Sequence, residues 1–237
     1  MTRRRWIADE VEGDRAALIG DHADHLARVL RARVGQEFDL ATGDGVRRAT
    51  ITAIDRDRVE FELGEVVSPA AGLQLTLLLA IFKFDRMDWA IEKCTELGVA
   101  EIVPLIARRT ESHLAAASAK RVERWRRLAR QASEQSRRAS PPEILEPVKF
   151  AEGLKHSGAS RIVLWESEEK HLLRDVLESG AAGNIVLAIG PEGGWTDEEV
   201  HAFREAGWAS ASLGQTILRA ETAAIAATAL AVSLCTA

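Results

Sequence analysis

Cysteine is scarce in this chain of 237 residues: Cys94 and Cys235 are the only two. They lie far apart, and neither has a second thiol or a histidine at metal-ligand spacing. A disulfide framework and a zinc site are therefore excluded as organising principles, no metal is expected, and a reducing cytoplasm is the simplest compartment. Long apolar runs are missing too. The most apolar stretch, Ala223 to Leu234, falls short of the roughly twenty residues of a spanning helix, so no membrane is expected and the stretch reads as a buried helix or a subunit interface. Arg3, Arg4 and Arg5 stand near the start, but no apolar signal-peptide core follows them. The first continuous apolar run, Leu73 to Ile81, passes into Phe82-Lys83-Phe84-Asp85 without a glycine. That excludes the phosphate-binding turns of dinucleotide enzymes and P-loop proteins at this position. An excess of positive charge is also absent, the formal net charge being -5.

Net charge averages over faces, and here the cations are clustered. Between Lys120 and Arg138 stand eight basic residues (Lys120, Arg121, Arg124, Arg126, Arg127, Arg130, Arg137, Arg138) against two acidic ones, Glu123 and Glu134. Val122, Trp125, Leu128, Ala129 and Ala132 recur at helical spacing, which predicts an amphipathic helix with a basic outer face. Arg28, Arg31, Arg33, Arg47 and Arg48 add further cations. A nucleic-acid surface predicts steep salt dependence, whereas an ordinary solvated helix face does not.

The patterning predicts two domains, 1–70 and 73–237. The first holds a helix, Asp21 to Arg31, then short β runs: Glu37 to Ala41, a Gly43-Asp44-Gly45 turn, Val46 to Ile54 and Arg58 to Val67, together a small barrel. Pro69 to Gly72 reads as a linker. Beyond it, strands and helices alternate: Leu73 to Ile81, helix Arg86 to Leu97 stopped by Gly98, Glu101 to Leu105, the basic helix, Arg161 to Trp165, and helix Glu168 to Glu178. That alternation predicts an α/β domain with a largely parallel sheet.

The chemistry concentrates near the carboxyl end. An apolar run, Asn184 to Ile189, breaks into Gly190-Pro191-Glu192-Gly193-Gly194 and then a helix whose start is marked by the T-x-x-E spacing of Thr196 and Glu199. Glycine lets a ligand touch bare backbone, and strand-to-helix turns are where α/β proteins bind ligands, although Pro-x-Gly-Gly is also an ordinary tight turn. A second short run, Ala209 to Leu213, breaks at Gly214. Were the two strands neighbours, their loops would meet at the sheet's carboxyl edge and form one pocket.

Five stretches in order resemble a known family: His25-Leu26-x-x-Val29-Leu30-Arg31, Lys93 to Val99, Glu134-Gln135-Ser136-x-Arg138, Gly190 to Gly194, and Leu213-Gly214-x-x-Ile217-Leu218-Arg219-x-Glu221-Thr222-Ala223. Together they resemble the RsmE family of 16S ribosomal RNA uridine-N3 methyltransferases, of the SPOUT superfamily, over nearly the whole chain. Trp195, where the family is expected to have Phe, and the pair Gln215-Thr216 depart from the pattern. The resemblance implies a PUA-like RNA-binding barrel and a SPOUT domain whose last third forms a trefoil knot. It implies a homodimer acting on 16S rRNA or the small ribosomal subunit, with S-adenosyl-L-methionine as methyl donor and the N3 of uridine U1498 as target. Leu164, Trp165, Glu166, Gly190, Pro191, Glu192, Gly193, Gly194, Leu213, Gly214, Ile217, Leu218 and Thr222 would bind the donor. Arg219 would hold the uridine and stabilise its N3 anion, with a salt bridge to Glu221 as the bland alternative, and Arg3, Arg4, Arg31, Gln135 and Arg138 would contact RNA. Glu192 is expected to fix its loop by accepting backbone amides, with removal of the imide proton as the alternative, Glu221 and Thr222 to cap the last helix while lining the pocket, and the general base stays unassigned. His25 and His113 read as structural. A non-enzymatic RNA-binding module acting in ribosome assembly is the rival function, and donor binding separates the two.

Overall fold

Val59, Phe61 and Leu63 alternate with exposed Glu60, Glu62 and Gly64, so the strand that carries them turns one face to a core and the other to water. Such strands build the first half of the chain. The computed structural model describes residues 5–43, 45–69, 73–136, 138–180 and 183–235. Its contacts divide the chain into two units, Met1–Ala71 with Ser133–Ser140, and Gly72–Ala132 with Pro141–Ala237.

The first unit runs β1 (Arg5–Ile7), β2 (Glu10–Glu12), β3 (Arg15–Ile19), α1 (Asp21–Asp24), β4 (Glu37–Ala41), β5 (Gly45–Ile54) and β6 (Arg58–Pro69). They form one sheet in the order β1-β4-β5-β6-β3-β2. Every pairing is antiparallel except that of β1 with β4. Laid flat, its outermost strands would stand about 24 Å apart at roughly 4.8 Å per step, yet only Ala8 and Asp9 join them, a reach of about 10 Å. The sheet must therefore curl. Ala8 N–H donates to Ala41 of β4, and Asp9 N–H to Ala17 of β3, so the link is stitched to both sides of the curl. Trp6, Leu18, Leu26, Leu40, Ile51 and Phe61 fill the interior, each contributing roughly 1.5–3 kcal/mol by leaving water.

The expected helix over 21–31 exists in altered form. After α1 the backbone widens into a π turn, His25–Val29, then leaves the helical path at Arg31, φ 52°. Trp6 packs edge-on against His25, centroids 5.6 Å apart, which gives that histidine a structural place. The expected Gly43-Asp44-Gly45 turn and the linker lie partly outside the described residues, as do Arg3, Arg4 and Arg137.

The second unit is a parallel sheet covered on both faces. Its elements are β7 (Leu75–Ala80), α2 (Phe84–Leu97), β8 (Glu101–Ile106), α3 (Ser112–Ala117), α4 (Val122–Ser136), β9 (Glu143–Ile144), β10 (Val148–Lys149), α5 (Phe150–Gly153), β11 (Ser160–Leu164), α6 (Leu173–Glu178), β12 (Ile185–Ile189), α7 (Asp197–Glu205), β13 (Ala209–Ala211) and α8 (Ala220–Cys235). A 3-10 turn, Ser118–Arg121, leads into α4, whose last turn groups with the first unit. The strand order is β10-β8-β7-β12-β11-β13, with β9 beside β8. Every residue of β7 is buried because alternate side chains enter two cores. Leu75, Leu77 and Leu79 meet α2, α4 and α8; Leu78 and Ala80 meet the aromatic cluster of Trp195, Phe203 and Trp208. The apolar stretch 223–234 is indeed a partly buried helix, α8, seated on α2 through Ala224, Ala227 and Ala231 and through a Thr228 Oγ1 to Cys94 Sγ contact of 3.4 Å.

Two expectations need correction. The strands β12 and β13 are not neighbours, because β11 lies between them, with Val163 facing Ala188 on one side and Ser210 on the other. The helix expected from Glu168 begins only at Leu173. Leu172 pairs instead with Ser212, and the N–H of Ser212 donates to His171, so backbone needed for an earlier helix turn is committed to the edge of β13.

Candidate functional site

The loops that leave β11, β12 and β13 at the carboxyl edge of the sheet, with the first turn of α8, enclose a cavity of about 220 Å3. Its wall is Leu164–Glu166, Ile189–Gly194, Ser212–Gly214, Thr216–Leu218, Ala220 and Ala223. The interposed strand β11 thus adds a third loop between the two that the sequence singled out. Of the residues expected to bind a ligand here, Thr222 alone is outside the wall; it is exposed on α8. Thr216 lines the cavity within the expected loop, and Ile189, Ser212, Ala220 and Ala223 line it without having been anticipated. Ile217 is 85% exposed at its mouth.

The glycines of the β12–α7 loop are required by what surrounds them. A Cβ on Gly190 would stand 3.2 Å from the Trp195 indole nitrogen, and one on Gly193 would stand 3.3 Å from Cδ of Arg109. Gly194 has φ +70°, and its Cβ would collide with the Glu166 carboxylate. The Gly194 N–H donates to Pro191 C=O at 2.8 Å, which closes the turn. Buried Trp195 donates its indole N–H to Leu164 C=O at 3.0 Å, tying this loop to the end of β11. Arg109 donates to the carbonyls of Gly193, at 2.6 Å, and Trp195, at 3.2 Å. The helix start is the capping box that the sequence predicts: Glu199 N–H donates to Thr196 Oγ1 at 3.3 Å, and Thr196 N–H to Glu199 Oε2 at 2.9 Å. The remaining oxygen of Glu199 accepts the Arg108 N–H at 2.8 Å, so this buried carboxylate is fully employed.

Arg109, Trp195 and Glu199 therefore perform the loop-fixing task expected of Glu192. Among the described residues no backbone amide donates to the Glu192 carboxylate; its Oε1 lies 3.4 Å from Nη1 of Arg86, in the first turn of α2. The same Nη1 lies 3.5 Å from Oε1 of Glu221. Glu221 is buried and is not part of the cavity wall, and Arg219, exposed and outside the wall, forms no salt bridge with it. Arg86 and Arg109 had no signal of their own in the sequence, since each depends on a fold that brings distant segments together.

Among the described residues the wall contains two carboxylates, Glu166 and Glu192, and no lysine, arginine or histidine. Such a lining disfavours phosphate groups and suits a ligand that carries positive charge beside flat, largely apolar surface.

The expected nucleic-acid contacts lie elsewhere. Arg31 and Gln135 are exposed and Arg138 is half-buried, all three within the first unit, with burial pushing the Arg138 guanidinium down to about 10. It stays protonated at neutral pH. The basic face of α4 is partly neutralised: Arg124 pairs with Asp88 at 2.8 Å and Arg126 with Glu123 and Glu146, while Arg121, in the turn before α4, sits over the ring of Phe84. Among the described residues no cluster of His, Cys, Asp and Glu is arranged to hold a metal, and no helix is long and apolar enough to cross a membrane.

Residues 69–232 match the family model described as an RNA methyltransferase domain, and residues 18–64 match that of an RNA methyltransferase PUA domain. The chain is 34% identical over 224 residues to ribosomal RNA small subunit methyltransferase E of Rickettsia conorii, covering 91% of this chain and 88% of that protein. A Neisseria gonorrhoeae protein of the same name, solved with S-adenosyl methionine bound, superposes with TM-score 0.80 at 30% identity, covering 99% of this chain and 98% of that one. A Legionella pneumophila protein described as a methyltransferase, solved with the same cofactor, gives TM-score 0.82 at 29% identity and 98% coverage of both chains.

Proposed function

The chain belongs to the ribosomal RNA small subunit methyltransferase E family, and from that premise we propose that it transfers a methyl group from S-adenosylmethionine to N3 of a uridine in 16S rRNA, the position U1498 of the family. The observation that carries the reading is the three-loop cavity, whose acidic, glycine-lined wall suits this donor. The bound donor supplies an electrophilic methyl group on a positively charged sulfur. Gly190, Gly193 and Gly194 let it approach bare backbone, and Ser212, Thr216 and loop main-chain groups offer hydrogen-bond partners to its adenine. Ile189, Leu213, Leu218, Ala220 and Ala223 keep water from the reacting atoms. Glu166 and Glu192 complement the positive charge.

At the target, the uracil N3 would give its proton to a base left unassigned, and the freed electron pair would form the N–CH3 bond as the donor's S–CH3 bond breaks and S-adenosylhomocysteine leaves. Arg219 is the catalytic residue of this reading: flanked by the wall residues Leu218 and Ala220, it presents a cation with no carboxylate partner among the described residues. It holds the uridine and stabilises negative charge at N3. Residues 1–70 serve as the PUA-like RNA-binding domain and 73–237 as the methyltransferase domain, with Arg3, Arg4, Arg31, Gln135 and Arg138 gripping RNA. The reading includes the trefoil knot of the last third, supported by the insertion of β12 between β7 and β11. It also includes action in the cytoplasm and a homodimer, the latter supported by the apolar α8.

The test is incubation of the full chain with labelled donor and either 16S rRNA or small subunits, followed by nucleoside mass spectrometry. 3-Methyluridine is the expected product, and a chain that binds donor yet methylates neither substrate overturns the assignment. Arg219→Ala is expected to lower kcat by about a hundredfold while donor Kd changes by less than about threefold. Equal losses in both would remove its catalytic role.

A further inference from the structure

One guanidinium stands between two carboxylates beside the cavity. Nη1 of Arg86 is 3.4 Å from Oε1 of Glu192 and 3.5 Å from Oε1 of Glu221. Both separations exceed the roughly 2.7–2.9 Å of a charge-assisted hydrogen bond, so the cation is shared. The two acids differ in setting. Glu221, in the first turn of α8, is 4% exposed, and its Oε2 is buried with no hydrogen-bond partner. A carboxylate in that state requires a nearby cation, because the helix N-terminus offsets only part of its lost hydration. Glu192 lines the cavity. Two carboxylates against one guanidinium leave a net negative charge, and Glu192 is the member of the trio that faces the ligand space.

The anchors of the β12–α7 loop are unevenly distributed. Arg109 grips the carbonyls of Gly193 and Trp195, and the Trp195 indole grips β11, so the second half of the loop is secured. For the Glu192 side chain in the first half, Arg86 is the tether among the described residues. We infer that Arg86 is a positioning residue of the donor site: anchored on buried Glu221, it fixes the Glu192 carboxylate at the cavity wall, where a cationic ligand meets its charge. This rests on the donor reading above.

The test is calorimetric titration with S-adenosylmethionine of the full chain and of Arg86→Met, Arg86→Lys, Glu192→Gln and the Arg86→Met/Glu192→Gln pair, with the thermal midpoint of each recorded. Each of Arg86→Met and Glu192→Gln is expected to weaken donor binding about tenfold. Arg86→Lys, which can keep a charged nitrogen between the acids, is expected to recover to within about threefold of wild type. Because both residues act through one contact, the double variant is expected to be no weaker than the weaker single one. A folded Arg86→Met with wild-type Kd, or losses that multiply in the pair, overturns the inference. Should Arg86→Met fail to fold with Glu221 stranded, Arg86→Met/Glu221→Gln removes that charge and carries the same expectation. A wild-type chain that retains no donor overturns the donor reading itself, a result distinct from an indifferent Arg86→Met.

Discussion

At Gly194 two independent constraints coincide: a left-handed backbone, φ +70°, and a neighbouring Glu166 carboxylate occupying the space a Cβ would take. An alanine there costs about 1 kcal/mol in backbone strain and must also displace a group of the cavity wall. Gly194→Ala is therefore expected to weaken S-adenosylmethionine binding more than tenfold, measured by calorimetry. Gly193→Ala meets only the flexible stem of Arg109, at 3.3 Å, and should lose less; equal losses would contradict the steric account. Glu168 offers a pH-dependent counterpart. The Ser210 hydroxyl donates to its carboxylate in a short hydrogen bond, the main reason that its pKa lies below the ordinary carboxylate value, with Lys170 N–H assisting. A depressed folded-state pKa contributes stability that is present above the unfolded value and lost as pH falls through the folded one. Ser210→Ala should accordingly lower urea stability at pH 7 and cost little at pH 3. An equal cost at both pH values would show that the hydroxyl acts by packing alone.

Among the elements, β12 and α7 were legible because their signals are local. An apolar run, a glycine-rich break and the Thr196/Glu199 spacing lie within sixteen residues, and the structure reproduces each. Thr196→Ala removes the hydroxyl acceptor of the Glu199 N–H and should cost about 1 kcal/mol, read from chemical denaturation; an unchanged midpoint would mean that Glu199 alone holds the helix start. The missed elements depend on pairing across distance. The strands β1, β2 and β3 are 3, 3 and 5 residues long, too short for alternation to declare them. They persist because β3 pairs with β6 and β1 with β4, contacts that sequence periodicity does not encode. The same reason hid the place of β11 between β12 and β13, although its loop, Leu164–Glu166, was implied by the resemblance. At the site, glycines and apolar wall residues could be read from a motif. The clamps formed by Arg86 and Arg109 could not, since their partners are more than eighty residues away in sequence.

For the whole molecule, the net charge of -5 and the proposed polyanionic substrate are reconciled only by which arginines remain unpaired. In the first unit Arg28 pairs with Asp24, Arg47 with Asp14, Arg48 with Asp39 and Arg58 with Glu10. In the second, Arg124 and Arg126 are occupied by Asp88, Glu123 and Glu146. Among the described residues, the exposed side chains of Arg15, Arg31, Arg33, Arg56, Arg127 and Arg219 have neither a carboxylate partner nor a hydrogen bond. An arginine already paired releases little when it meets a phosphate, because it exchanges one anion for another, whereas an unpaired one displaces a condensed counterion from the RNA. Six such contacts at about 0.7 counterions each give a plot of log K against log salt with a slope of about −4, shallower than the count of arginines suggests. Arg127→Ala should reduce the magnitude of that slope by about 0.7, measured by fluorescence anisotropy with labelled 16S rRNA fragments across a salt series. Arg126→Ala, which removes an occupied cation, should leave the slope unchanged even if affinity falls. A steeper slope in the wild-type chain, or equal changes in the two variants, would mean that the surface pairs open on RNA and that the basic helix binds with its full charge.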